Sequence, residues 1–214
     1  MADQKVDIVL RMLPKDWSPN RERVQAAIDI GINIPNVLLW LKDLTTTNAP
    51  QTQGKLVRGG TAFCCLGRAC MVAMEFGRIP LALSPSGEWF EPSRTAVRTW
   101  GTRVWDAVLP EPVSAWLGFG RLYQPESPRM LRRNIVRAAT DLKPDFEPTS
   151  ADMMNDNRRW DFNRIAQAIT WWLGLNEDLA TEFEPEYTRL DFDFNSQYKA
   201  LWYSLAVDDP KKAP

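Results

Sequence analysis

The chain has 214 residues, 44% hydrophobic and 25% charged, with a net charge of −1, the composition of an ordinary globular protein rather than of a disordered or collagen-like one. It contains no histidine, which excludes Ser-His-Asp and Cys-His catalysis and every zinc site that needs an imidazole. No apolar run approaches the roughly 20 residues of a membrane span, and Met1-Ala2-Asp3-Gln4-Lys5 lacks the pattern of a secretory signal.

In chain order, residues 20–30 and 36–44 read as two helices. In the second, Val37, Leu38, Trp40, Leu41 and Leu44 recur on one face. Residues 45–60 are polar and contain glycine, the signature of a loop. Residues 62–76 read as a helix that is apolar nearly all round, with Gly77 placed to end it, and such a helix belongs at the centre of a fold. Residues 79–83 and 88–90 flank Ser84-Pro85-Ser86-Gly87, which predicts a β-hairpin. Leu109-Pro110-Glu111-Pro112-Val113 opens a short helix that ends at Trp116-Leu117-Gly118, with proline in the first turn where no N–H donor is needed. A further helix over 128–142 starts with Ser127 as N-cap. Residues 161–173 form the clearest helix: Phe162, Ile165, Ala166, Ile169, Trp172 and Leu173 make one apolar stripe, Asp161 can cap it and Gly174 can stop it. After Asn176 the chain turns acidic; 190–194 alternate like an edge strand and 198–205 suggest a last short helix. These elements predict an α+β, mainly helical fold. It is read as a compact single domain over 1–176, with a small β-hairpin near 79–90 and an acidic C-terminal extension over 177–214.

All three cysteines, Cys64, Cys65 and Cys70, fall within seven residues. A metal site usually takes four ligands, and helical spacing points these three to different sides. A thiolate activated by a helix N-terminus is a second reading. Small buried side chains that let a central helix pack closely is the third, and the one preferred. Ten tryptophans imply a core rich in indoles more than a display of them. Charge is uneven. Residues 93–137 carry eight arginines against three acids, a net of +5, whereas 174–214 carry four bases against nine acids, a net of −5. Within the basic part, Arg129, Arg133 and Arg137 recur every four residues with Arg132 beside them, opposite Leu131, Ile135, Ala138 and Leu142. That is an amphipathic helix with a guanidinium stripe, and Arg129, Arg132, Arg133 and Arg137 are the candidate ligand-binding residues; their bland reading is a solvated face or one paired with the acidic tail. Asp191 and Asp193 face the same way on a strand and offer a weak Mg²⁺ signal. Asn155-Asp156-Asn157 reads as turn and cap chemistry. Gly54-Lys55 lacks the other residues of a phosphate-binding loop.

Gly54-Lys55-Leu56-Val57-Arg58 followed by Phe63-Cys64-Cys65-Leu66-Gly67-x-x-Cys70, then Leu109-Pro110-x-x-Val113-x-x-Trp116-Leu117-Gly118, then Met154-Asn155-Asp156 with Phe162-x-x-Ile165-Ala166-x-x-Ile169, resembles an uncharacterised family of bacteriophage proteins. The three blocks keep their order and cover residues 36–173. Arg68 stands where the family pattern prefers valine, Met71 where it often has an acid, and the segment between the second and third blocks is longer. The resemblance implies a phage-encoded protein made in the cytoplasm of a bacterial host. It brings no catalytic residue with it.

The expectation is therefore an accessory binding protein without catalysis that captures a host protein or an anionic small molecule, with countering host defence as one role. Enzymatic activity is left undecided with a leaning against it. No cofactor, metal ligand set or membrane partner is expected. One alternative is a nucleic-acid- or nucleotide-binding module that uses the arginine helix over 128–142. The other is a self-associating structural protein, which leaves homo-oligomer formation open.

Overall fold

Local signals decide where the helices begin and end, and their buried faces decide how they meet. The structure is a computed structural model that describes residues 2–29, 31–119, 151–156 and 159–180. Helix α1 (Ala2–Met12) packs on α2 (Arg21–Asp29), and Val6, Val9, Val24 and Ala27 are buried on the two. Helix α3 (Ile34–Thr46) starts where the Asn33 side chain accepts the Asn36 N–H and Pro35 occupies the first turn. Its predicted stripe is the buried one, Val37, Trp40, Leu41 and Leu44, with Leu38 at its margin.

Strands β1 (Val57–Arg58) and β2 (Ala62–Phe63) pair antiparallel, Val57 opposite Phe63. They lead into α4 (Cys65–Glu75). The predicted helix over 62–76 thus begins three residues late and the predicted loop over 45–60 gives up its end. Gly59 and Gly60 both take positive φ, which folds the chain back so that 62–63 find a strand partner before the helix can start. As expected, α4 is central: α3, α6 (Glu111–Trp116), α7 (Ala151–Asp156) and β2 all lie against it. Gly77 directly follows the C-cap residue Phe76, so the helix ends where expected. The positive φ falls on Arg78, and the Ile79 N–H returns to the Ala73 carbonyl. Gly77 is small because a Cβ there would stand 2.6 Å from the Trp116 indole nitrogen.

The predicted hairpin is present as β3 (Leu81–Leu83) and β4 (Phe90–Pro92), with Leu81 opposite Pro92 and Leu83 opposite Phe90. Ser84 organises its turn by accepting the Glu88 and Trp89 N–H groups on its hydroxyl. Phe90 also exchanges both backbone hydrogen bonds with Trp105 (2.9 and 2.8 Å), so 105 sits as a third rung beside the hairpin. Between them lies α5 (Val97–Trp100). Helix α8 (Phe162–Trp172) begins as its sequence indicates, Asp161 accepting the Arg164 N–H at 2.7 Å, and Gly174 follows it at positive φ. It packs on α3 and is followed by a 3-10 turn, Glu177–Leu179.

Of the tryptophans whose side chains are described, Trp40 and Trp105 are buried and Trp17, Trp89, Trp100, Trp116, Trp160 and Trp171 are half-buried, so none of these eight is displayed. The fold is α+β and mainly helical, with two small antiparallel sheets among the described residues. No single described helix is long and apolar enough to cross a membrane.

Candidate functional site

The cysteine segment lies where four elements converge. Cys64 is the N-cap of α4, and its Sγ accepts the Gly67 N–H at 3.3 Å, a task usually given to a serine or aspartate oxygen. Its own N–H goes to the Leu56 carbonyl at 3.1 Å. Gly67 is obligatory beside the Leu56 backbone, since a Cβ would fall 1.8 Å from the Leu56 oxygen. The Cys65 carbonyl accepts the Trp40 indole N–H at 2.9 Å, the Cys65 N–H donates to Asn155 Oδ1 at 3.3 Å, and the Cys65 thiol reaches the Ala151 carbonyl at 3.2 Å.

Asn155 is fully buried and serves three partners besides its neighbour. Its Oδ1 accepts from Gln51 Nε2 (2.7 Å) as well as from Cys65, and its Nδ2 donates to the Thr52 carbonyl (2.8 Å) and to Asp156 Oδ1 (2.6 Å). The turn-chemistry reading of Asn155-Asp156 therefore understated it. This amide ties α7 to the 51–52 segment and to the first turn of α4, a buried polar group with its hydrogen-bonding capacity used.

Two thiols are pushed in opposite directions. The neighbouring Cys65 thiol holds the Cys64 thiol below its ordinary value, helped by the Gly67 and Leu66 N–H groups, while burial and the Asp156 charge act against them. The Cys65 thiol has one proton, so a bond to the Ala151 carbonyl and support for a Cys64 thiolate compete. Burial drives the Cys70 thiol well above its ordinary value, with the charge of Cys64 adding to it. Cys64 is only 6% exposed and Cys65 and Cys70 are 0%, so the preferred reading of the cluster as packing residues agrees with their placement. Among the described residues no group of three or more carboxylate, thiol or imidazole side chains is placed to hold a metal ion.

The predicted ligand-binding residues Arg129, Arg132, Arg133 and Arg137 lie outside the described residues, as do Asp191 and Asp193. The described part of the basic region is residues 93–119, and its three arginines all fall within 93–108. Arg94, Val97, Arg98, Arg103, Val104 and Val108 are all exposed there. Arg103 pairs with Glu111 at 3.0 Å, while Arg94 and Arg98 make no ion pair among the described residues. Three fixed points hold the segment. Ser93 N–H donates to the Pro80 carbonyl, Trp105 is exchanged with Phe90, and the Leu56 N–H reaches the Asp106 carbonyl. The Trp105 indole N–H adds a bond to Glu111 at 3.2 Å. The arginine count signalled this region, but the regular spacing over 129–137 drew the sequence reading elsewhere.

No protein family matches the chain, and neither a curated protein nor a solved structure matches it.

Proposed function

We propose that this chain is a phage-encoded accessory binding protein without catalysis, acting in the cytoplasm of a bacterial host and capturing a host protein or an anionic ligand there. Countering host defence is a role that fits. The phage context rests on the three sequence blocks and their shared order. The observation that carries the binding reading is how the chemistry-bearing groups at the centre are employed. Cys64 caps α4, Cys65 bonds Ala151, and Asn155 joins three segments. Groups committed in this way hold a fold together and are withheld from substrate. The exposed arginines and valines of 93–108 are suited to contact rather than reaction.

Affinity capture from host and infected lysates, with mass spectrometry of both the protein and the small-molecule eluates, tests the reading. The expected result is a retained partner together with thiols that iodoacetamide reaches only after unfolding. Rapid labelling of Cys64 in the native protein, with nothing retained from either lysate, would overturn it.

A further inference from the structure

We infer that residues 93–108 form the partner-binding surface, and that the partner is a protein presenting carboxylates around an apolar patch. The inference rests on the binding reading above and deepens it. Six large hydrophobic side chains are exposed among the described residues, and three of them, Val97 (38%), Val104 (58%) and Val108 (54%), lie in this one segment. Between Ser93 and Trp105 there are three arginines and no acid. Arg94 and Arg98 are exposed and make no ion pair among the described residues, and the Arg103–Glu111 pair leaves Arg103 67% exposed. Guanidinium groups pair with carboxylates through two parallel hydrogen bonds. Exposed aliphatic groups among them gain from covering by apolar side chains. Asp106, inside the segment, and Glu111, just beyond it, disfavour a partner carboxylate near its C-terminal end.

The backbone is already in place. Ser93, Trp105 and Asp106 are anchored by backbone hydrogen bonds to Pro80, Phe90 and Leu56 respectively, so little conformational entropy is lost on association. Nucleic acid fits less well. Single strands bind through exposed aromatic faces as well as charge. In this segment Trp105 is buried with its N–H engaged, and Trp100 is half-buried against the core. Valine side chains offer bases nothing to stack on.

The full chain is titrated, by fluorescence anisotropy, into a labelled peptide in which glutamates alternate with pairs of leucines. A serine-for-leucine version of the peptide and a labelled oligothymidylate run in parallel. The variants are Arg94→Glu with Arg98→Glu, Val97→Ser with Val104→Ser, and a charge-matched control on α1, Lys5→Glu with Arg11→Glu. All altered side chains are exposed, and circular dichroism checks each fold. Expected are binding of the leucine peptide that weakens with salt, a loss of about tenfold for the arginine pair, a smaller loss for the valine pair, and no more than about a twofold change for the control. No binding by the unaltered chain, equal losses in control and loop variants, indifference to the valine pair, or tighter binding of oligothymidylate each overturn the inference. A protein captured from lysate equally well by unaltered chain and by the Arg94→Glu, Arg98→Glu variant would sink this surface while leaving the binding reading standing.

Discussion

Gly67 shows how much a single residue carries at the centre of this molecule. The missing side chain lets α4 lie against the Leu56 backbone, and an added Cβ would overlap the Leu56 oxygen. Neither partner is a flexible side chain that can swing away. Gly67→Ala is expected to lower stability by about 3 kcal/mol or more, read as a fall in the urea midpoint. Cys64 offers a gentler test. A serine keeps an acceptor for the Gly67 N–H and an alanine does not, so Cys64→Ala is expected to be about 1 kcal/mol less stable than Cys64→Ser. The thiols also set opposite pH dependences. Cys64 has a lowered value in the folded chain, so its contribution is present above the unfolded thiol value and is lost as pH falls through the folded one. Cys70 has a raised value, so its contribution is intact below the unfolded thiol value and is lost as pH rises toward the folded one. Urea midpoints at neutral pH and at about pH 10 check this. Cys70→Ala is expected to lose less stability between the two than the unaltered chain does.

Between elements, the decisive contact is the Asn155 side chain, which joins α7, the 51–52 segment and the first turn of α4. Asn155→Ala strands the buried Cys65 N–H and Thr52 carbonyl. It is expected to cost about 2–3 kcal/mol, with hydrogen exchange at Cys65 rising more than exchange in α1. Gly118 plays the corresponding part between α6 and the start of α3. It holds φ at +84° with a Cβ position 2.2 Å from the Gly31 carbonyl oxygen, and the Asn33 N–H donates to the Leu117 carbonyl at 3.0 Å. The three sequence blocks fall on packing contacts: Cys64, Cys65 and Gly67 on the first turn of α4, Val113, Leu117 and Gly118 on α6 and its end, Asn155 on α7, and Phe162, Ile165 and Ala166 on the buried stripe of α8.

Across the whole molecule, the end of α8 is clasped to the N-terminal helical pair. The Arg23 guanidinium donates to Glu177 and to the Trp171 carbonyl, both at 2.7 Å, and lies over the Trp171 ring at 4.9 Å. Ser18 donates from its N–H to the Asn176 side chain and from its hydroxyl to Asp178, and its carbonyl accepts the Glu177 N–H. Residues 177–178, counted with the acidic extension in the sequence reading, are therefore joined to the helical part. Arg23→Ala removes stacking as well as charge and is expected to destabilise by about 1–2 kcal/mol. A loss that persists at high salt would identify the share of the stacking and of the bond to the Trp171 carbonyl, since salt screens chiefly the ion pair.

Helix identity was legible in the sequence wherever an apolar stripe and a cap coincided, as at α3 with Asn33 and α8 with Asp161, because both signals act within a few residues. The hairpin was legible for the same reason, from Ser84-Pro85-Ser86-Gly87 between two apolar runs. The short β1–β2 pair was not, because two-residue strands have no period and exist through their pairing. The same limit hid the role of Asn155, whose partners stand 90 to 104 positions away. By itself the sequence determined the mainly helical class, the central place of α4 and the exclusion of histidine chemistry, all properties of composition and local spacing. Only the tertiary structure decided that the clustered thiols are buried in capping and packing, and that residues 93–108 are pinned by backbone hydrogen bonds with their arginines exposed. Both follow from contacts between residues far apart in the chain, which no local pattern encodes.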